Sequence, residues 1–302
     1  MNLNKIALAL VFSTGSMIAV PAFADYAAGR AAYLAGDFAT ALKEYAPEAA
    51  KGVPVAQNDL AYMYEKGQGV PVDYAVAFNW YSKAAAKGWL AAQTSVGYFY
   101  SQGYSVPRDY AKAMTWYRKA ADKNFAQAQS NIGTLYENGF GVPLDLTQAA
   151  AWYRKAADQG SAAGQTNLGF LYARGKGVTQ DDAIAIDLYR KAAAQGYAMA
   201  MNNLGFMLAQ GRGAPQDLPA AASWYRKAAD QKYPLAQFNL AKLYAEGRGV
   251  PQDNAQAMNW LNQAANNGFK PAMRYLADVY TRGLLGQAVS PSAALQWNEK
   301  AR

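Results

Sequence analysis

A short signature, Trp-Tyr-x-Lys-Ala-Ala, returns along the chain at Trp80, Trp116, Trp152 and Trp224, and in looser form at Trp260. Leu188 holds the place in the one step that lacks the tryptophan, so each step is 36 residues, and the last, to Trp297, is 37. A fixed period of this size marks stacked supersecondary units, each unable to bury its apolar face alone. Such an array grows without a new globular core, so a length of 302 residues does not imply separate globular domains.

One unit reads as two helices. Ala56, Leu60, Met63 and Tyr64 follow helical spacing, and after a loop so do Tyr74, Ala77, Trp80, Tyr81 and Ala84. The loop is Gly67-Gln68-Gly69-Val70-Pro71-Val72-Asp73. Gly67 suits the left-handed end of a helix, and Asp73 is a natural N-cap for the next. Its equivalents are Asp109, Asp145, Asp181, Asp217 and Asp253. A small residue recurs in the first helix at Ala61, Gly97, Gly133, Gly169, Gly205, Ala241 and Ala277. Glycine costs about 1 kcal/mol in a helix interior, so its recurrence predicts that another backbone packs close against it. Burial of Leu60 and Trp80 is expected to contribute about 2–3 kcal/mol each.

This unit resembles the Sel-one-like repeat, a relative of the tetratricopeptide repeat. The pattern is carried by Ala128, Leu168-Gly169, Tyr172, Gly175, Gly177, Val178, Asp181, Trp152-Tyr153 and Lys155-Ala156-Ala157. The resemblance implies an all-α fold, a right-handed α/α superhelical solenoid of about eight helix pairs. The expected units are 25–52, 53–88, 89–124, 125–160, 161–196, 197–232, 233–268 and 269–302. The first unit departs from the pattern: Gly36 runs straight into Asp37, shortening the loop by five residues, and Glu44 replaces tryptophan. A polar, clipped end unit suits a cap. Lys232 stands where glycine usually closes the second helix.

Residues 1–24 read as a secretory leader. Lys5 supplies the positive start, Ile6 to Val20 the apolar run, and Ala22-Phe23-Ala24 the small residues before cleavage. The run is shorter than the roughly 20 residues of a spanning helix. The expectation is an exported, periplasmic or secreted, monomeric chain with no membrane span after cleavage. The net charge of +8 is modest: it suits anionic partners such as acidic protein faces or envelope polymers, or serves solubility alone, and is too small to point to nucleic acid.

The chain has no cysteine and no histidine. Disulfides, Ser-His-Asp and Cys-His catalysis, and the usual zinc and haem sites are therefore outside its means. No cofactor is expected. The cysteine-rich relatives associated with β-lactam binding and weak hydrolysis rely on a cysteine in each unit, and Ser-x-x-Lys, Ser-Asp-Asn and Lys-Thr-Gly motifs are also missing here.

Recognition is therefore expected from side chains that the repeat does not dictate. The resemblance places first helices on a concave inner face. Two positions vary there: Asn58, Thr94, Ser130, Thr166, Asn202, Phe238 and Arg274 in one register, and Tyr62, Tyr98, Thr134, Phe170, Phe206, Lys242 and Asp278 four residues on. Residues four apart share a helix face, so the two registers should form one stripe. Tyr62, Tyr98, Phe170, Phe206, Phe238, Asn58, Asn202 and Arg274 are the candidates for binding a protein or peptide; packing between units competes with that role, and exposed rings would also suit a glycan. A second feature, the ladder Lys83, Arg118-Lys119, Arg154-Lys155, Arg190-Lys191 and Arg226-Lys227, reads as a solvated ridge in which Arg118, Arg154 and Arg226 pair with Asp122, Asp158 and Asp230.

Overall fold

In a computed structural model, residues 24–302 are described. The expected leader falls outside them except for Ala24, which opens the first helix. The described residues form eight antiparallel helix pairs: α1 (Ala24–Leu34) with α2 (Phe38–Ala50), α3 (Pro54–Lys66) with α4 (Tyr74–Ala86), α5 (Leu90–Gln102) with α6 (Tyr110–Ala121), and α7 (Ala126–Asn138) with α8 (Leu146–Asp158). They continue with α9 (Ala162–Arg174) and α10 (Asp182–Ala194), α11 (Ala198–Gln210) and α12 (Leu218–Asp230), α13 (Pro234–Glu246) and α14 (Asn254–Asn266), and α15 (Lys270–Arg282) and α16 (Pro291–Lys300). The described residues divide into two compact units, the first ending at Ala92 and the second running Gln93–Arg302.

The loop chemistry is as the sequence reads. Gly67 closes α3 at φ 68°, and its N–H donates to the Met63 carbonyl. The Asp73 carboxylate accepts from the Ala75 and Val76 N–H groups, and Asp145 and Asp181 cap α8 and α10 in the same way at 2.9 Å. The second glycine, in the loops that carry one, answers a different need. A Cβ on Gly177 would lie 2.2 Å from the Leu146 carbonyl oxygen, and one on Gly213 would lie 2.2 Å from that of Asp182. The loop thus presses on the start of the preceding pair's second helix. The residue between the glycines strengthens that contact: Phe140 stacks on Tyr110 at 4.7 Å, and Arg212 pairs with Asp182 at 2.5 Å. That arginine holds the Asp182 carboxyl below the usual carboxylate range.

The core differs from expectation in one respect. Tyrosine, not tryptophan, is the buried member of the Trp-Tyr signature: Tyr81, Tyr117, Tyr153, Tyr189 and Tyr225 are all 4% exposed or less. Neighbouring residues on a helix point about 100° apart. When tyrosine faces the first helix, tryptophan is turned to the rim. There it is half-buried, with a lysine ammonium over its ring: Lys83 on Trp80, Lys119 on Trp116, Lys155 on Trp152 and Lys227 on Trp224, all at 3.9–4.1 Å. Only Trp260 is buried outright. The recurrent small residue receives the tyrosine. A Cβ on Gly97 would meet the Tyr117 ring at 2.6 Å and the Ala113 carbonyl at 3.1 Å, so ring and backbone both close on it.

The arginine ladder is also used differently. Arg118, Arg154 and Arg226 donate to the hydroxyls of Tyr136, Tyr172 and Tyr244, not to the aspartates four residues on. Each tyrosine belongs to the following pair, so these arginines fasten one pair to the next. Arg154 and Arg226 also lie over the rings they bond, where the face of the ring attracts the cation.

Candidate functional site

Within the unit Gln93–Arg302, α9 touches its own partner α10 and also α7 and α11, the first helices of the adjoining pairs. The second helices make no contact of that extent among the described residues. The first helices α7, α9 and α11 are therefore drawn together on the inner side of the local bend, and their outward positions lie side by side.

The structure separates the two variable registers. The register of Asn58 and Asn202 is turned into the stack. Asn58 is 6% exposed and donates to Asp59; Asn202 is 2% exposed, donates to Asn203 and accepts from Asn239. Thr94, Ser130 and Thr166 in this register are buried as well. Phe238 packs against Phe269 and Tyr275 of the next pair, with ring centroids 5.5 and 6.1 Å away. Side chains here vary because they fill the seam between successive first helices. Arg274 occupies the same register in α15. It is exposed and lines a shallow concavity of about 420 Å³ with Leu295, Asn298, Ala301 and Arg302.

The register four residues on is the open one. Phe206 is 41% exposed, and Lys242 is exposed on the next first helix. Phe170 is half-buried, with the Arg174 guanidinium and the Lys176 ammonium 5.7 and 5.6 Å from its ring centroid. Tyr98 is half-buried and meets Tyr104 edge-on at 5.9 Å. Tyr62 takes the same position in the unit that ends at Ala92, half-buried beneath Lys66, and burial pushes its hydroxyl pKa up. Thr134 interrupts the aromatic run; its hydroxyl lies 3.1 Å from that of Tyr153.

The face can offer ring surface and cations. Among the described residues no group of three His, Cys, Asp or Glu side chains is placed to hold a metal ion. No described helix is long and apolar enough to cross a membrane.

The Sel1 repeat model matches residues 54–89, 90–125, 126–161, 162–197, 198–233, 234–269 and 270–302. A Sel1 repeat protein from Oxalobacter formigenes is 33% identical, with a TM-score of 0.71; the match covers 82% of this chain and 96% of that one. A protective antigen present in uropathogenic Escherichia coli strains is 34% identical, with a TM-score of 0.59 over 86% of this chain and 63% of the antigen. An immunity protein from Pseudomonas aeruginosa shares the fold at 23% identity and a TM-score of 0.52, covering 70% of this chain and 82% of that one. No curated protein matches the chain.

Proposed function

The chain belongs to the Sel1 repeat family, and we propose that it is a protein-binding scaffold holding a segment of a partner against the open first-helix register, centred on Phe170 and Phe206. One observation carries this reading. The frame residues repeat and are buried, whereas Tyr98, Phe170 and Phe206 stand at a position the frame leaves unspecified and face outward to different degrees. Large rings on a rigid base give contact area at little entropic cost, which makes them good anchors for a partner.

The proposal extends to location. The leader read over residues 1–24 would export the chain, and the modest positive balance would favour an anionic partner over a neutral one. The partner is a protein or peptide.

Crosslinking in cells, followed by identification of the captured proteins, tests the reading. The wild-type chain is compared with a Tyr98→Ala/Phe170→Ala/Phe206→Ala variant whose helicity is verified by circular dichroism. The expected result is loss of the wild-type crosslinks in the folded variant. Identical capture by both chains would rule out this face.

A further inference from the structure

The charges around Phe170 and Phe206 are unbalanced in one direction. Arg174 ends α9, one turn beyond Phe170, and Lys176 lies between the two glycines of the following loop. Lys242 holds the same register position as Phe206 on the next first helix. All three are exposed, and among the described residues none has a carboxylate within ion-pair distance.

The acids nearby are already engaged. Asp182 is held by Arg212, which also donates to the Ala173 carbonyl. Glu246 is paired with Arg248 and Asp278 with Arg282. Glu137 accepts from the Tyr153 hydroxyl at 2.6 Å. The face therefore combines an exposed phenyl ring, a second ring flanked by cations, and three positive charges with no carboxylate within ion-pair distance among the described residues.

We infer that the segment bound here is an acidic peptide carrying a large apolar side chain, its carboxylates meeting Arg174, Lys176 and Lys242 while the apolar group covers Phe206. The inference rests on the scaffold reading and narrows it to one partner chemistry. Arginine and lysine differ in what they supply: Arg174 can grip a carboxylate through two parallel N–H donors, whereas Lys176 and Lys242 act as point charges. A basic or neutral segment would leave those cations uncompensated beside the half-buried Phe170, so the arrangement rejects as well as attracts. Nucleic acid would need a denser basic stripe than these three cations provide.

The full-length chain, a charge-reversed Arg174→Glu/Lys176→Glu variant and a Phe206→Ala variant, each verified as folded by circular dichroism, are used to select from a random-peptide display library. The wild-type chain is expected to enrich sequences rich in Asp and Glu with an aliphatic or aromatic residue, and the charge-reversed chain to lose that bias. A peptide selected by the wild type should bind the charge-reversed chain about tenfold or more weakly, and should also weaken as salt rises. Enrichment without acidic bias that still disappears in Phe206→Ala overturns the acidic partner and leaves the scaffold reading in place. Enrichment indifferent to both variants, or none at all, overturns both.

Discussion

Tyr153 fills the space that Gly133 leaves empty: a Cβ on that glycine would come within 2.6 Å of two atoms of the ring. The ring has little room to yield, because its hydroxyl donates to Glu137 and meets Thr134. Gly133→Ala gains about 1 kcal/mol of helix propensity and incurs about 1–3 kcal/mol of overpacking. The net expectation is a loss of about 1 kcal/mol, read from the midpoint of urea denaturation. Ala61 opposite Tyr81 shows that a pair can be arranged around alanine, so a loss far above this would mean that Tyr153 is fixed more firmly than its two hydrogen bonds explain.

The two aromatic residues of one signature should separate sharply on truncation. Tyr153 is fully buried, so Tyr153→Ala should cost about 3–5 kcal/mol. It also removes the donor on which the half-buried Glu137 relies. Trp152 is half-buried between Lys155 and Arg118 and keeps part of its surface in water. Its truncation should cost about 1–2 kcal/mol, since less area is lost and surface cation–ring contacts contribute little. The two variants compared by denaturation under one fitting model decide the point: a larger loss at Trp152 would return the core role to tryptophan.

Periodicity made the eight pairs legible, because a stacked frame must repeat its helix stripes, caps and loop glycines wherever pairs meet. Asp145 and Asp181 cap as their position dictates. Spacing could not say which of two adjacent aromatics faces inward, since Trp152 and Tyr153 both recur and only the angle of the helix pair chooses between them. Nor could it separate the registers of Asn202 and Phe206, which share a helix face. The approach of the next first helix covers one and leaves the other open. A signal for this was present: the covered register is mostly small or amide-bearing, as Thr94, Ser130, Thr166 and Asn202 show. Links between the two helices of one pair also escaped the reading, because their partners lie 30 residues apart. Gln159 donates to Gln129, Gln195 to Gln165 and Asn267 to Gln237. Arg154 reaches Tyr172 in place of Asp158 because the next pair offers a ring and an acceptor together.

Asp59 is a carboxylate at a position where later pairs carry Asn131, Asn167, Asn203 and Asn239. It accepts hydrogen bonds from the Tyr26 hydroxyl at 2.7 Å and the Asn58 amide at 3.1 Å. Burial outweighs these bonds and the nearby Arg30, so its carboxyl is pushed above the usual range. The folded chain therefore holds this proton more tightly than the open chain, whose aspartates titrate near ~3.9. The resulting stabilisation is complete below that pH and is lost as pH rises through the raised folded value. Asp59→Asn keeps an acceptor for Tyr26 and removes the buried charge. Melting curves taken across pH should show the variant more stable than wild type at neutral pH, with the advantage shrinking on acidification. A variant less stable at neutral pH would mean that Asp59 is held by charge attraction more than it is penalised by burial.

Lys232 adopts φ 61° where Gly160, Gly196 and Gly268 adopt 82–84° to close their second helices. Left-handed backbone costs a residue with a Cβ roughly 1–2 kcal/mol, because Cβ crowds the following carbonyl. The Lys232 side chain is exposed and makes no hydrogen bond or ion pair among the described residues, so nothing offsets that cost. Its backbone N–H donates to the Ala229 carbonyl, a bond that glycine would keep. Glycine also frees the unfolded chain, which returns part of the gain. Lys232→Gly should therefore stabilise the chain by about 0.5–1 kcal/mol, a rise of about 2 °C in Tm. The reverse change one pair earlier, Gly196→Lys, should destabilise by a similar amount, because nothing lies within 4 Å of a Cβ there and only the backbone angle opposes it. If Lys232→Gly were neutral while Gly196→Lys destabilised, the residues around position 232 would have adapted to lysine, and the strain assigned to its φ would not exist.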